Sequence, residues 1–308
     1  MPDTLLNMKA FLATARGGSF SQAARQIGVA TSVITKRVNQ LEWALNAKLF
    51  VRTTRTVKLT EMGERYLASI RDIVGEYDDM VAGIRRSPGE LEGHVRIKAP
   101  VALSTVLLGK VFATFQRDNP RITLDVVLND RSVNPVEEGF DIVLGIAPAS
   151  YDGVIEEPLH VYPRFLCAAP SYLKKRGAPE HPRDLVNHDC LAFSHAGNTW
   201  TFQSGKGSIH VTVKPRFVSS DSSVLVTAAC EGNGIMVASK LAALSALNAG
   251  KLVPILPDYP IPDLWLRAMV PQSRIGLKRI QALMAAVRES LLPAPPWEVA
   301  TAGRKKSA

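Results

Sequence analysis

The chain has few cysteines and no long hydrophobic run, and these absences exclude several classes of protein. Three cysteines occur in 308 residues, and their odd number and wide spacing predict neither a disulfide framework nor a zinc site. The six histidines show no i, i+4 pairing that would ligate a metal on a helix. No run approaches the roughly 18 apolar residues of a membrane-spanning helix, and the N-terminus lacks the layout of a secretion signal. We therefore expect a cytoplasmic protein without a metal, a cofactor or a membrane partner.

The sequence also lacks the short motifs of common enzyme classes. There is no Gly-x-Ser-x-Gly nucleophile elbow, no phosphate-binding glycine loop and no paired-histidine metal motif. What is present is the composition of a globular protein, with 46% hydrophobic and 21% charged residues. A chain of this length predicts two or three domains.

Positive charge is concentrated at the N-terminal end. The net charge is +9, and residues 1–65 contain ten Lys or Arg against four Asp or Glu, which leaves +6 in about a fifth of the chain. Such a distribution is typical of a nucleic-acid-binding domain. The basic cluster Arg304-Lys305-Lys306 is interpreted instead as a solvated, flexible tail.

Residues 19–63 predict two short helices, a tight turn and a basic hairpin. The first helix is expected to begin at Ser21, a favoured N-cap residue. Small and apolar residues on its inner side are expected to be buried: Ala23, Ala24 and Ile27. Small side chains permit the close approach of two helices that cross steeply, as in a helix-turn-helix motif.

The second helix is expected over about residues 31–45, after a turn at Gly28-Val29. Residues at three-and-four spacing are expected to face the core: Val33 or Ile34, Val38, Leu41 and Leu45. The opposite side carries hydroxyl, amide and basic groups that can hydrogen-bond base edges and phosphates in a major groove. With Ser21 of the first helix, these candidate DNA contacts are Thr31, Ser32, Thr35, Lys36, Arg37 and Gln40.

Two short strands are predicted after this helix, at residues 49–52 and 55–59, joined at Thr53-Thr54. Arg52, Arg55 and Lys58 would then form a basic wing suited to phosphate or minor-groove contact. A small helical domain with a solvated charged face is the competing interpretation. Helix, wing and charge together favour DNA binding.

These motifs resemble those of the LysR-type transcriptional regulators. The matching stretches are Ser19 to Ala24, Leu41-Glu42, Leu49 to Arg52 and Leu59 to Gly63. The chain departs from the family pattern at Ala30, where a Ser cap is usual, and at Thr31 and Thr35, where Gln and Ser are usual. We expect Thr31 to take over the capping and Asn46, at a usual Gly position, to adopt a left-handed conformation. The base preference is therefore the property least transferable from the family.

A long helix with a heptad seam is predicted over residues 60–86, which contain no proline. Hydrophobic residues recur there at alternating steps of four and three: Tyr66, Ile70, Ile73, Tyr77, Met80 and Ile84. This period is typical of a coiled coil, which would present two DNA-binding domains to successive major grooves. A single amphipathic helix lying on its own domain is the alternative. Ser87-Pro88-Gly89 is expected to end the helix.

Beyond residue 93, alternating strands and helices predict an α/β architecture with a largely parallel sheet. Further weak motifs in the order of the family extend the resemblance over about residues 5–292. The resemblance implies a two-lobed effector domain similar to periplasmic solute-binding proteins, with a small molecule bound between the lobes. Val161-Tyr162 and Leu264-Trp265 would be the two crossings between lobes.

The domain bounds predicted in this way cover the whole chain. They are 1–59 for a winged helix-turn-helix, 60–90 for the dimerisation helix and hinge, 91–292 for the effector domain and 293–308 for a flexible basic tail. Lobe 1 is expected over about 91–161 and 266–292, and lobe 2 over about 162–265.

Strand ends and helix N-termini are expected to line the cleft, where free backbone amides favour anions. Ser104 and Thr105 are predicted to open one helix and Asp221-Ser222 another. The candidate effector contacts are Pro100, Val101, Ser104, Thr105, Phe193, Ser194, His195, Asp221 and Ser222. Ser104, Asp221 and Ser222 have the alternative role of capping or complementing their own helices. Helix-terminus chemistry and the habit of the family point to an organic anion as the effector.

The sequence thus predicts a ligand-responsive transcription factor that binds double-stranded DNA and self-associates as a dimer or tetramer. Two alternatives stay open. One is an architectural DNA-binding dimer that senses no ligand, and the other is an enzyme that uses the two-lobed cleft.

Overall fold

A computed structural model describes residues 3–52, 57–85 and 91–298 of the chain. The described residues divide into two compact units. The first unit lies within residues 1–94, 121–123 and 134–140, and the second within residues 95–120, 124–133 and 141–308. No described helix is both long enough and apolar enough to cross a bilayer.

Helices and one hairpin make up the N-terminal part of the first unit. The elements are α1 (Thr4–Gly17), α2 (Phe20–Ile27), α3 (Thr31–Ala44), β1 (Phe50–Arg52), β2 (Val57–Leu59) and α4 (Glu61–Arg85). The strands β1 and β2 pair antiparallel, and Phe11 of α1 packs against Phe50 of β1 with ring centroids 5.3 Å apart. Buried Ala23 and Ala24 allow α2 to approach its neighbours closely. The arrangement is a winged helix-turn-helix.

Three details of these helices differ from the sequence predictions. Ser19, not Ser21, caps α2, because the Ser19 Oγ accepts a hydrogen bond from the Gln22 amide at 3.1 Å. Ile27 ends α2 and is exposed rather than buried. Thr31 does not cap α3, because it is already the first helical residue; Ala30 occupies the cap position and has no side-chain cap bond.

The end of α3 departs from the predicted core pattern as well. Ile34, Val38 and Leu41 are buried as expected, but Leu45 lies beyond the last helical residue and is 41% exposed. Glu42, three residues before Leu45, is buried instead. Asn46 adopts the predicted left-handed conformation, with φ of 48°.

The stretch Leu59 to Gly63 connects the start of α4 to the residues just before β1. The Thr60 hydroxyl donates to the carbonyl of Lys48 at 2.6 Å and accepts from the Gly63 amide at 2.9 Å. A Cβ on Gly63 would lie 2.2 Å from the carbonyl oxygen of Leu49. Only glycine permits this approach of the helix to the strand.

Most of two five-stranded sheets belongs to the second unit. The strands after α4 are β3 (Gly93–Ala99), β4 (Ile122–Leu128), β5 (Ile142–Gly145), β6 (Val154–Tyr162), β7 (Arg164–Ala168), β8 (Cys190–Phe193), β9 (Thr199–Ser204), β10 (Gly207–Thr212), β11 (Pro215–Ser219), β12 (Ile235–Ser239), β13 (Val253–Pro254) and β14 (Leu264–Pro271). The helices are α5 (Val101–Leu103), α6 (Gly109–Asp118), α7 (Pro135–Glu138), α8 (Pro170–Arg176), α9 (Ser222–Cys230), α10 (Lys240–Asn248) and α11 (Lys278–Ser290).

Both sheets are mixed, so the prediction of a largely parallel sheet is wrong. The first has the order β4-β3-β5-β14-β6; β3 and β5 run parallel, but β14 is antiparallel to both of its neighbours. The second has the order β11-β8-β12-β7-β13, and β7 is antiparallel to β12 and β13. The reversed strands, β14 in the first sheet and β7 in the second, lie where the chain passes from one sheet to the other.

Two neighbouring segments carry the chain between the sheets. The chain leaves the first sheet at Tyr162 of β6, enters the second at Arg164 of β7, and returns to the first through Leu264, which pairs with Tyr162. The Arg164 guanidinium donates to the carbonyl of Pro262 at 2.8 Å. The predicted crossings at Val161-Tyr162 and Leu264-Trp265 lie at these two points.

Candidate nucleic-acid interface and effector cleft

One face of α3 forms a shallow groove bordered by polar side chains. Its lining consists of Thr31, Ser32, Thr35, Lys36, Asn39, Gln40 and Trp43. The structure therefore brings five of the predicted DNA contacts together. The Thr35 hydroxyl is already used within the helix, because it donates to the carbonyl of Thr31 at 3.0 Å. Arg37 is half-buried and does not line the groove.

Two residues of this groove, Asn39 and Trp43, were not among the predicted DNA contacts. Both continue the helical spacing of Ser32 and Lys36, so extending the three-and-four pattern past Gln40 would have included them. Trp43 is 86% exposed. Ser21 lies on α2 and is exposed, with its hydroxyl 3.3 Å from that of Ser19.

The acidic residue of α3 is turned away from the groove. One carboxylate oxygen of Glu42 accepts from the amides of Leu49 and Phe50 at 2.9 and 3.2 Å, and the other accepts from the Lys48 ammonium at 2.9 Å. Burial alone would raise the pKa of Glu42, but the hydrogen bonds from Lys48 and the two amides outweigh it and lower the pKa. The groove is therefore free of an opposing negative charge from its own helix.

The wing is described only in its strands. Lys58 of β2 is exposed and pairs across the hairpin with Val51. Arg52 ends β1, but its side chain is outside the described part of the structure. Arg55 and the turn Thr53-Thr54 lie outside the described residues.

The predicted seam on α4 divides into buried and exposed positions. Ile70 is buried in the core of the helix-turn-helix, so its assignment to a partner-facing seam is wrong. Tyr66, Ile73, Tyr77 and Met80 remain exposed, with exposed fractions of 37–57%. The side chain of Ile84 is outside the described part.

At the first predicted effector position, the helix begins earlier than expected. Pro100 occupies the N-cap of α5, and Val101 is the first helical residue. Ser104 and Thr105 therefore do not open the helix; they lie one turn inside, in a π-helical turn at Ser104–Leu108. Pro100 keeps the extended backbone of the preceding strand, with φ of −64° and ψ of 141°, and the helix begins at the next residue.

The hydroxyls of Ser104 and Thr105 have different surroundings. Ser104 is buried, and its Oγ has no hydrogen-bond partner among the described residues. The exposed Thr105 donates to the carbonyls of Val101 and Ala102 at 3.2 and 3.1 Å.

At the second position, Asp221 caps α9 as the sequence allowed. Its carboxylate accepts from the Ser223 amide at 2.7 Å, and Ser222 is the first helical residue. Phe193 ends β8, and a short 3₁₀ turn at Ser194–Ala196 follows. The His195 ring lies 5.3 Å from the Phe193 ring.

Asp130, which the sequence analysis missed, connects these positions electrostatically. It follows β4, and its Oδ1 accepts from the Val101 amide at 3.1 Å. Burial is the main cause that raises the pKa of Asp130; the charge of Asp221 adds to it, and the Val101 amide, Lys98 and His195 oppose it. Groups from both sheets thus act on one carboxylate. The position of this carboxylate two residues after β4 was the available signal.

Tyr162 and Lys98 are further buried polar residues near this carboxylate. Burial raises the pKa of Tyr162 to about 12, and the charge of Asp130 contributes. The Tyr162 hydroxyl donates to Ser239 at 3.2 Å, across the point where the sheets meet. Lys98 is fully buried, and its Nζ lies 3.5 Å from the Leu144 carbonyl.

Both helix starts are thus capped by carboxylates of the chain itself. Asp130 binds the first amide of α5, and Asp221 binds an amide in the first turn of α9. One of the amides on which the prediction of an anionic effector relied is therefore occupied at each of these two helix starts. Within residues 3–52, 57–85 and 91–298, no cluster of three or more His, Cys, Asp or Glu side chains could hold a metal ion.

Family comparisons agree with both halves of this description. The family described as "Bacterial regulatory helix-turn-helix protein, lysR family" matches residues 5–64, and "LysR substrate binding domain" matches residues 88–292. The HTH-type transcriptional activator TtdR of Escherichia coli (strain UTI89 / UPEC) is 32% identical over 245 residues, which are 79% of each chain.

Full-length relatives extend the similarity. The uncharacterized HTH-type transcriptional regulator YhjC of Escherichia coli (strain K12) is 30% identical over 296 residues, 92% of this chain and 96% of YhjC. The structure of CrgA, a LysR-type transcriptional regulator from Neisseria meningitidis, has a TM-score of 0.57 at 26% identity and covers 92% of this chain and 97% of CrgA. The chain therefore belongs to the LysR family of transcriptional regulators, which bind DNA through the helix-turn-helix and a small-molecule effector through the C-terminal domain.

Proposed function

We propose that the α3 groove and the wing are the sequence-specific DNA interface of this regulator. The observation that carries the proposal is the groove itself, where hydroxyl, amide and ammonium groups line one helical face and the acid of that helix is buried. Ser32, Asn39 and Gln40 offer hydrogen bonds to base edges, and Lys36 and Lys58 offer charge to phosphates. Ser21, Thr31, Thr35, Arg37, Arg52 and Arg55 complete the proposed contacts.

The effector is proposed to bind between the two sheets of the second unit. The charges of His195 and Asp221 both act on Asp130 there, and the buried Ser104 hydroxyl supplies an unused donor and acceptor nearby in the chain. Pro100, Val101, Thr105, Phe193, Ser194 and Ser222 are the other proposed contacts. An organic anion stays a prediction for the effector, although one amide at each of the helix starts at Val101 and Ser222 already binds a carboxylate.

Self-association is proposed to use the exposed side of α4. Tyr66, Ile73, Tyr77 and Met80 supply an apolar stripe at heptad spacing. The proposed domains keep the bounds 1–59, 60–90, 91–292 and 293–308, and the assembly is a dimer or a tetramer.

Selection of duplexes from a random-sequence pool tests the DNA interface. We expect the full-length chain to enrich one motif, and Gln40→Ala to change the enriched bases at one position, because its side chain reaches a base edge rather than a phosphate. Lys175→Ala, an exposed residue of α8, is the control and should enrich the same motif as the unsubstituted chain. Enrichment of no motif would contradict the proposal.

A metabolite panel tests the effector site. A compound that binds the folded chain should raise the melting temperature, and the same compound should change affinity for the selected duplex. Asp221→Asn should alter that response while leaving duplex binding without the compound unchanged. If no compound changes either property, the alternative of an architectural DNA-binding dimer is favoured.

A further inference from the structure

Trp43 is an aromatic side chain that the fold leaves uncovered. Its exposed fraction is 86%, whereas Trp200 and Trp297 are buried and Trp265 is 44% exposed. Tryptophan combines a large apolar ring with an N–H donor, and such residues are enriched at binding interfaces. The exposure of this indole, on the helix proposed to contact DNA, therefore points to a binding role for Trp43.

The indole lies at the far end of the groove that contains the proposed base contacts. Trp43 lines this groove together with Ser32, Lys36 and Asn39, to which it is related by helical spacing. Trp43 lies twelve positions after Thr31, which corresponds to about 18 Å along the helix axis. The major groove is about 12 Å wide. When the first turns of α3 contact bases, Trp43 at the other end of the helix therefore lies at the edge of the major groove. Deoxyribose and phosphate are found there.

The surroundings of Trp43 favour DNA over a protein partner. The other six residues of the groove are polar or basic, whereas a protein-docking patch needs contiguous apolar surface. Lys36 provides a positive charge on the same face, and the neighbouring Glu42 is buried and bonded to Lys48 and two amides. The face that continues to Trp43 is thus complementary to a polyanion.

We propose that the indole of Trp43 packs against the deoxyribose-phosphate backbone at the edge of the major groove and extends the DNA interface of α3 by one helical turn. The inference rests on the proposed DNA interface. An apolar contact to the backbone adds affinity for every duplex sequence. It releases no counterion, so the dependence of binding on salt is unaffected.

Duplex binding by the full-length chain tests the proposal. The substitutions Trp43→Ala and Trp43→Phe are compared, each in a Trp265→Phe background, on a duplex selected by the unsubstituted chain and on a scrambled duplex of equal length. We expect Trp43→Ala to weaken binding to both duplexes about three- to tenfold, as for loss of one partly buried ring. Trp43→Phe should retain most of the affinity, and both variants should keep the salt slope.

Fluorescence quenching supplies a direct readout of the same contact. In the Trp265→Phe background, Trp43 is the exposed tryptophan and the two others are buried. Neutral acrylamide should quench Trp43 in the free chain, and either duplex should protect it. Trp265→Phe alone serves as the control, with unchanged duplex affinity. Equal melting temperatures of the variants exclude a folding defect.

Three outcomes would overturn the proposal. Unchanged affinity of Trp43→Ala with no protection by DNA would exclude the contact while leaving the α3 interface intact. Protection that increases with protein concentration in the absence of DNA would assign Trp43 to a protein interface instead. Failure of the unsubstituted chain to bind either duplex would reject the DNA interface as a whole, and Trp43 with it.

Discussion

At the scale of single residues, Glu42 connects α3 to the wing. The carboxylate is near the C-terminal end of α3 and accepts from the amides of Leu49, directly before the first wing strand, and of Phe50, the first residue of that strand. The third partner, Lys48, has an exposed side chain. The strength of the connection therefore lies chiefly in the two buried amides, because a hydrogen bond to a charged acceptor in the interior is stronger than an exposed ion pair.

Glu42→Ala should destabilise the chain by about 2–4 kcal/mol, because two buried amides lose their acceptor. Glu42→Gln should cost less, since its carbonyl oxygen can still accept a hydrogen bond. Urea unfolding followed by circular dichroism measures both. Gln40→Ala on the exposed side of the same helix is the matched control and should remain within about 0.5 kcal/mol of the unsubstituted chain. An equal effect of Glu42→Ala and the control would contradict this role.

The pH dependence of stability should carry the signature of Glu42. Because the pKa of this carboxyl is lower in the folded than in the unfolded chain, its stabilisation is fully present above the unfolded pKa of about 4.3. It is lost as the pH falls through the folded pKa. We expect the difference in melting temperature between the unsubstituted chain and Glu42→Gln to shrink below about pH 4. If the difference in melting temperature stays constant down to the pH at which the chain unfolds in acid, the ionised form of Glu42 is not the source of the stabilisation.

Asp130 should show the opposite dependence. Its pKa is raised in the folded chain by burial, and the charge of Asp221 adds to this. Protonated Asp130 therefore stabilises the folded chain relative to the unfolded chain. This contribution is fully present below the unfolded pKa and is lost as the pH rises through the folded pKa. Asp130→Asn, which keeps an acceptor for the Val101 amide, should raise the melting temperature at pH 7, and the gain should vanish below the unfolded pKa of about 3.9. A lower melting temperature at pH 7 would show that the charge itself stabilises the fold.

At the scale of elements, α4 carries apolar residues on two sides, one buried in its own domain and one exposed. Ile70 and Val74 are buried against the chain's own residues, whereas Ile73, Tyr77 and Met80 are exposed. Both sets are apolar, and their positions differ by only part of a helical turn. Periodicity could therefore predict the helix and its seam, but could not decide which apolar residue faces its own domain and which faces a partner.

Ile73→Glu should shift the chain from dimer towards monomer, because a charge in an apolar seam loses hydration without gaining a partner. Sedimentation velocity over a range of concentrations measures the shift. Arg65→Glu introduces the same side chain at an exposed position of α4 outside the seam and should leave the assembly unchanged. Equal sedimentation of both variants would place the partner elsewhere on the molecule.

Local patterns predicted α2, α3, α4 and the hairpin of the N-terminal domain but not α1, and long-range contacts account for most of the other differences. Ser19 and Ser21 are both favourable caps, and only the backbone geometry selects Ser19. Asp130 binds the Val101 amide 29 residues away, a contact that no local spacing indicates. The antiparallel placement of β14 likewise depends on pairing with β5 and β6, far away in the sequence. The helices and strands were therefore easier to predict from the sequence than the order of the strands in the sheets. Residues of the α3 groove were likewise easier to predict than residues near Asp130.

At the scale of the whole molecule, the uneven distribution of charge is expected to set how DNA binding responds to salt. Residues 1–65 hold +6 of the net charge of +9, and Lys36 and Lys58 are exposed on α3 and β2. A lysine that neutralises a phosphate releases counterions, so each such contact contributes about 0.9 to the slope of log affinity against log salt. Basic residues elsewhere, such as exposed Lys175 on α8, should contribute nothing to that slope.

Lys36→Gln and Lys58→Gln should each reduce the salt slope by about one, on the selected duplex and on a scrambled duplex alike. Fluorescence anisotropy between about 50 and 200 mM salt measures the slopes over the range where such contacts change affinity strongly. Lys175→Gln removes the same charge from the second unit and should leave the slope unchanged. Because all three variants lower the net charge equally, a common decrease would show that only the total charge matters. A decrease confined to Lys36 and Lys58 would locate the phosphate contacts on the helix-turn-helix and its wing.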